Sequence, residues 1–292
     1  MNQFGEVFEN EELKKYTTLG IGGVTRYLVK PYDEKNLCSL IKYLRENQIN
    51  YYILGNGSNV ILDDNFFDGV IIRLDNLKDI YFDGNEVTVS AGVMLPMLVN
   101  VCLQKSFVSL AFASMIPGTV GGSVVGNAGA YGHEIMEYVK AVTVLDEDGN
   151  IKVLNKDQIS FGYRYTTLKD KYIILNVTFI LELGDPIKEL NEIRERNEKR
   201  ITTQPIEKKN VGSIFRNPEN LSAGKLIEDL GLKGYQIGGA KISEKHANFI
   251  VNENNATFND VVSLINLIKK QIKEKYDINL VAEPTIIKWE EI

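Results

Sequence analysis

Two stretches of small residues carry the most legible chemistry in this chain of 292 residues. From Ile116 the sequence reads Ile-Pro-Gly-Thr-Val-Gly-Gly-Ser-Val-Val-Gly-Asn-Ala-Gly-Ala-Tyr-Gly, ending at Gly132. Glycines this dense destabilise a fold unless backbone must come close to something, most often a phosphate or pyrophosphate gripped by main-chain N–H groups. A turn-rich surface loop is the plainer alternative. Upstream, Leu54-Gly55-Asn56-Gly57-Ser58-Asn59 follows a short apolar run and offers bare backbone with hydroxyl and amide donors. Alone it is an ordinary turn; paired with the glycine run it suggests a ligand with two phosphates held by two loops. Gly118, Gly121 and Gly122 have the wrong spacing for Gly-x-Gly-x-x-Gly, and no Gly-Lys-Ser/Thr follows, so the nucleotide belongs to some other fold.

The remaining composition narrows the chemistry. Only His133 and His246 are present, which argues against a His-rich metal site and against a Ser-His-Asp triad. No metal is expected, and proton chemistry falls to carboxylate, hydroxyl, lysine or arginine. A net charge of −6 argues against nucleic acid as a partner. Local positive charge at Arg194, Arg196, Lys199, Arg200, Lys208 and Lys209 reads as a solvated helix face, with an anionic substrate as the other use. Cys38 and Cys102 read as reduced, buried thiols of a cytosolic protein. The first residues have neither a basic nor an apolar signal region, and no apolar run approaches the roughly 20 residues that span a bilayer. A soluble, cytoplasmic protein with no membrane partner is expected.

The loops need elements to hold them. Leu37, Leu40, Ile41 and Leu44 predict a helix over 36–47, followed by strands at Tyr51–Leu54, Val60–Leu62 and Val70–Leu74. Strands resume at Ile80, with Val87 and Val89 alternating, and Leu95–Lys105 is a helix with Pro96 in its first turn. Val139–Leu145 and Ile151–Leu154 form a hairpin about an acidic-Gly turn, and Tyr172–Leu183 is a long strand. A charged helix opens at Pro186 and runs to about Arg200. Helices at Ser222–Leu230 and Phe258–Tyr276 and strands at Ala247–Asn252 and Val281–Trp289 complete a small α+β domain.

Six collinear segments carry a resemblance. They are Thr17–Gly23, Leu54–Asn59, Ile116–Gly132, Phe161-Gly162-Tyr163-Arg164, Gly212-Ser213-Ile214-Phe215-Arg216-Asn217-Pro218 and Lys245-His246-Ala247-Asn248-Phe249-Ile250-Val251-Asn252. Together they resemble the UDP-N-acetylenolpyruvoylglucosamine reductase family over about residues 17–287. The resemblance implies an α+β chain with a two-part FAD-binding domain of the vanillyl-alcohol-oxidase (PCMH) type, residues 1–75 and 76–185, and a substrate-binding domain, residues 186–292. It implies FAD as cofactor, NADPH as co-substrate and UDP-N-acetylglucosamine enolpyruvate as substrate; the sequence leaves the oligomeric state open, with a monomer favoured. FAD contacts fall on Gly55, Asn56, Gly57, Ser58 and Asn59, and on Ser114, Ile116, Pro117, Gly118, Gly121, Gly122, Asn127, Ala128 and Gly129.

By the same resemblance, Arg164 meets the enolpyruvyl group, Ser213 is the proton donor, Glu283 is the catalytic glutamate, and Asn217 and Arg216 bind the sugar nucleotide. Without it, Arg164 reads as a surface or stacking residue, Ser213 as a turn and Glu283 as a strand-edge carboxylate. His246 reads as a structural hydrogen-bonding residue, and Tyr131 as packing or stacking on the flavin. Three positions depart from the family: Thr166 for serine, Arg216 for the more frequent lysine, and Pro284 where a β-branched residue usually follows the glutamate. The short stretch from Phe161 to Arg200 resembles the loop-lacking subgroup, so neither Tyr163 nor Tyr165 is expected to act as a lid. A flavin oxidase with His133 as covalent attachment point and a non-catalytic nucleotide-binding module are the competing readings.

Overall fold

Leu37, Leu40, Ile41 and Leu44 form the buried face of helix α1, Glu34–Glu46. The Asp33 carboxylate starts the helix by accepting the Asn36 backbone N–H at 2.7 Å, satisfying one of the otherwise unpaired first-turn donors. The computed structural model describes all residues from Met1 to Ile292. They fall into two compact units: Met1–Glu9, Tyr27–Asn56 and Asp68–Arg196 make the first, and Asn10–Arg26, Gly57–Phe67 and Asn197–Ile292 the second.

The first unit contains two cores. One packs α1 with Val29, Val70, Ile72 and Leu145, beside a sheet whose strand order is Gly5–Glu12, Val24–Pro31, Phe67–Ile72, Tyr51–Ile53. The other lies on a five-stranded sheet in the order Ile151–Asn155, Val139–Leu145, Ile173–Ile180, Glu86–Ser90, Ile80–Asp83. Its pairings are antiparallel. Val87, Val89, Val142, Val144, Val177 and Phe179 are buried there with residues of α2, Leu95–Gln104. The expected hairpin is present, with Leu145 opposite Ile151. Its turn is held by the Asp146 carboxylate, which accepts the Asn150 N–H, and by Gly149 at φ 82°.

The glycine run is not wholly loop. Val120–Val125 forms a short helix, α3, capped by Thr119 Oγ1, which accepts the Gly122 N–H at 3.2 Å. Helix α4 spans Pro186–Thr203 and buries none of its side chains, as its charge pattern predicts. The division between units falls inside it, after Arg196.

In the second unit, α5 (Ala223–Asp229) and α6 (Phe258–Tyr276) pack with strands Gln236–Ile237, Ala240–Ile242 and Ile250–Asn252. Thr257 and Asp260 exchange bonds at the start of α6, and Asp277 ends it in a left-handed conformation at φ 57°. The two units are discontinuous in sequence, and segments near the N-terminus pack with C-terminal ones. Val60–Leu62 pairs in parallel with Thr285–Ile287, and Leu19, Ile21 and Ile61 lie in the same core as Leu264 and Ile268. The last strand is accordingly shorter than Val281–Trp289, and Trp289 lies in a 3-10 turn.

Cys38 is half-buried and Cys102 buried, both as free thiols, and burial pushes the Cys102 thiol up to about 12. At neutral pH it is an inert apolar side chain.

Candidate active site

In the first unit Leu54–Asn56 meets the glycine run. Leu54 ends the strand Tyr51–Ile53 by donating its N–H to Ile72 O. The next carbonyl, Gly55 O, accepts from Arg73 Nη1 at 3.0 Å. Arg73 is itself oriented by Asp75, which accepts from its Nε and from Nη2, and Lys30 reaches the same carboxylate at 3.0 Å. Burial pushes the Asp75 carboxyl up, but Arg73 and Lys30 outweigh it and hold the group below its ordinary value. Asn56 Nδ2 then donates to Pro117 O at 2.6 Å, tying the first loop to the glycine run.

The surfaces that face one another are bare. A Cβ on Gly55 would lie 3.1 Å from Thr119 Oγ1, and one on Gly118 would lie 2.8 Å from Ser123 Oγ. Ser123 Oγ is buried without a hydrogen-bond partner, a costly state for a hydroxyl. A phosphate oxygen is a chemically suitable acceptor for it, so the residues fit a pyrophosphate-bearing group such as FAD. Several of the run's N–H groups are already used: Ser114 donates to Ala111 O, Ile116 to Ala113 O, Gly118 to Ile116 O, Gly121 to Ala91 O and Ala128 to Ser123 O. These positions therefore contribute shape and close approach more than donors. Thr119, Ser123 and Arg73 were not singled out in the sequence. Thr119 alone carried a signal, as a helix cap three residues before Gly122.

Arg164 sits in the same unit, at the turn of a hairpin formed by Phe161–Gly162 and Tyr165–Thr166. Its φ of 56° is left-handed, which costs a non-glycine residue about 1–2 kcal/mol. The guanidinium donates from Nη2 to Gly129 O at 2.8 Å and lies 5.1 Å from the centre of the Tyr163 ring. Thr166 is buried and its hydroxyl donates to Val125 O at 2.8 Å, so the serine-to-threonine departure keeps a structural bond. Asn127 is fully buried, and both ends of its side-chain amide have partners within the unit. Tyr131 is half-exposed beneath Arg196, whose guanidinium lies 4.7 Å from the ring centre.

In the second unit Ser213 and Glu283 come together. Gly212, at φ 80°, turns the chain into a strand-like segment in which Phe215 faces Ala282 in an antiparallel bridge. Glu283 N–H donates to Ile214 O at 2.9 Å and Arg216 N–H to Val281 O at 3.0 Å. Ser213 thus lies next to the residue hydrogen-bonded to Glu283. The missing N–H of Pro284 breaks nothing, because Thr285 N–H resumes the pattern on Asn59 O at 3.0 Å. The Ser213 segment is also held by buried Asn248: its Oδ1 accepts the Phe215 N–H, its Nδ2 donates to Phe215 O, and its own carbonyl accepts the Ile214 N–H. Asn217 Oδ1 accepts the Ala223 N–H at the start of α5, and Arg216 Nε is buried without a hydrogen-bond partner. Lys208 is paired with Glu253 at 2.6 Å.

His246 is structural here: its Nδ1 accepts the Asn248 N–H at 3.2 Å. Burial, then nearby Lys233, lowers its pKa. The unfolded chain therefore takes up a proton first as pH falls below about 6.5, and stability drops until the folded pKa is passed. A urea midpoint that falls between pH 7 and pH 5, and falls less in His246→Gln, is the expected result. Equal pH dependence in the two proteins would remove His246 as its source.

No group of three or more His, Cys, Asp or Glu side chains is arranged to hold a metal ion, and no helix is long and apolar enough to cross a membrane. A family model for an FAD binding domain matches residues 25–155, and one for the C-terminal domain of UDP-N-acetylenolpyruvoylglucosamine reductase matches residues 204–287. The reductase of that name from Caldanaerobacter subterraneus subsp. tengcongensis is 42% identical over 284 residues, covering 97% of this chain and 94% of the relative. The chain belongs to the UDP-N-acetylenolpyruvoylglucosamine reductase family. A Clostridium botulinum (strain Okra) member is 41% identical over 96% of the chain and 92% of its own length. The crystal structure of the Thermus caldophilus reductase superposes with a TM-score of 0.83 at 33% identity, covering 98% of this chain and all of that one. A 6-hydroxy-D-nicotine oxidase from Arthrobacter nicotinovorans shares the fold alone, with a TM-score of 0.50 at 14% identity over 61% of this chain and 42% of its own. Membership makes the chain an FAD-dependent oxidoreductase, with an FAD-binding domain of the PCMH type and the reductase family's C-terminal domain.

Proposed function

We propose that the chain reduces UDP-N-acetylglucosamine enolpyruvate to UDP-N-acetylmuramate with NADPH, in peptidoglycan precursor synthesis. The observation that supports this reading is the backbone pairing of Glu283 with Ile214, the residue after Ser213, in a chain similar over almost its whole length to the reductases named above. When bound, FAD would supply the redox chemistry, a hydride relay from NADPH to the β-carbon of the enol ether. Gly55, Asn56, Ser114, Ile116, Pro117, Gly118, Gly121, Gly122, Ala128 and Gly129 would hold its pyrophosphate, and the family resemblance gives Gly57, Ser58 and Asn59 the same role.

Hydride arrival at the β-carbon leaves negative charge on the α-carbon and its carboxylate. Arg164 stabilises that charge with a permanently cationic, forked donor, and such preorganised stabilisation is usually the largest catalytic contribution. Ser213 then delivers its proton to the α-carbon, giving the lactyl ether. Serine is a weak acid in water, but the acceptor here is a strongly basic enolate within hydrogen-bond reach. Asn217 and Arg216 bind the sugar nucleotide, and the unpartnered Arg216 Nε supports an anionic contact there.

The test is anaerobic stopped-flow absorbance of the flavin. Bleaching by NADPH followed by recovery only when the enolpyruvyl sugar nucleotide is added is expected; bleaching without recovery discards the substrate. Gly57→Ala checks the first loop separately. Gly57 has φ 64°, and a Cβ would lie 2.0 Å from Tyr16 O, so the loop must move. Flavin retention at least ~10-fold weaker, about 1.4 kcal/mol, is expected on dialysis; unchanged retention takes the loop out of the cofactor site.

The chain is further assigned to the loop-lacking subgroup, so that Tyr163 and Tyr165, both about half-exposed at the Arg164 turn, leave the substrate uncovered. A substrate-bound structure with either ring over the uridine diphosphate overturns this.

A further inference from the structure

Asn127 was expected to touch FAD, but its side chain has other work. It is fully buried, with a left-handed backbone at φ 43°. Nδ2 donates to Glu134 Oε2 at 2.7 Å and to Gly162 O at 2.9 Å, and Oδ1 accepts the Met136 N–H at 3.2 Å. Both amide protons and the carbonyl are therefore engaged inside the protein, leaving no side-chain donor for a cofactor.

The partners form a pattern. Gly162 closes the hairpin that turns at Arg164. Glu134 faces Gly129 across the short ladder Gly129–Ala130 with His133–Glu134, and Gly129 O is the acceptor for Arg164 Nη2. A Cβ on Gly129 would meet Glu134 Cγ at 3.1 Å and Arg164 Nη1 at 3.2 Å, so the guanidinium lies close against that ladder. A second tether, Thr166 Oγ1 to Val125 O, joins the other hairpin strand to the glycine run. One buried amide thus fastens both the backbone that carries Arg164 and the ladder that receives its guanidinium.

We infer that Asn127 is a positioning residue that acts through Arg164, not a cofactor ligand. The inference rests on the role given to Arg164 above. Because a displaced guanidinium misses charge that develops only during transfer to the substrate, losing the tether slows flavin reoxidation and spares flavin reduction.

The experiment is a double-mutant cycle on the FAD-loaded enzyme, comparing Asn127→Ala, Arg164→Met and the double variant by anaerobic stopped flow and by calorimetric titration of the enolpyruvyl sugar nucleotide. Asn127→Ala is expected to keep flavin content and the NADPH-driven bleaching rate within about 2-fold. Reoxidation at saturating substrate should slow at least ~10-fold, with substrate affinity changed only a few-fold. In the Arg164→Met background the same change should cost almost nothing further. Additive losses, slowed bleaching or lost flavin would overturn the inference. If Arg164→Met alone leaves reoxidation unchanged, the role of Arg164 itself fails, an outcome distinct from additivity. Thr166→Val, which cuts only the second tether, carries the same expectation should Asn127→Ala not fold, and unchanged reoxidation in that variant would then overturn the inference.

Discussion

Ser213→Ala is expected to bleach with NADPH at the wild-type rate and to recover its flavin absorbance at least ~100-fold more slowly when the enolpyruvyl substrate is added. The magnitude is that of losing a general acid, about 2.7 kcal/mol of barrier. The separation of half-reactions follows from chemistry, since the serine proton is needed only at the α-carbon, after hydride has reached the β-carbon. The structure makes the substitution clean. The neighbouring backbone is held by Asn248 at Ile214 and Phe215 and by the Glu283 N–H at Ile214 O, none of which uses the Ser213 hydroxyl. A loss of flavin or a slow first phase would place Ser213 in the cofactor site, and an unchanged second phase would remove it from the mechanism.

Arg164→Met is expected to cost ~10²–10³ in the same second phase, the range for removing one preorganised donor from a developing oxyanion, roughly 2.7–4 kcal/mol. Arg164→Lys should recover little of it, because an ammonium cannot fork onto a carboxylate or reproduce the geometry of Nη2 on Gly129 O. Arg164→Gly separates function from stability. The native φ of 56° suits glycine and strains arginine. The glycine variant should therefore unfold within a few degrees of wild type, despite losing the Gly129 and Tyr163 contacts, while reoxidation is as slow as in the methionine variant. A large fall in melting temperature would mean that arginine holds the hairpin together and that the strain serves no site.

Much of the site was legible because the chemistry sits in contiguous segments. Glycines from Gly118 to Gly132 announce close backbone approach without any partner in view, and the structure meets that reading with Gly55, Asn56, Pro117 and Thr119 in one neighbourhood. Amphipathic spacing likewise announced α1, since a helix reports its buried face every three or four residues. The short helix α3 was hidden because its residues are mostly small, β-branched or glycine and give no periodicity. Ser123 was hidden because nothing in a lone serine predicts a buried, unpartnered hydroxyl.

By itself the sequence determined where small residues let backbone approach closely, the main helices and, through collinear motifs, the family. Only the tertiary structure decided that Asn10–Arg26 and Gly57–Phe67 belong with the C-terminal unit, through the ladder between Val60–Leu62 and Thr285–Ile287. It alone paired Glu283 with Ile214, the neighbour of Ser213, and turned Asn127 inward. The physical reason is that local spacing encodes which face of an element is apolar, whereas the partner of a strand edge or a buried amide is chosen by whichever donors and acceptors meet when distant segments pack.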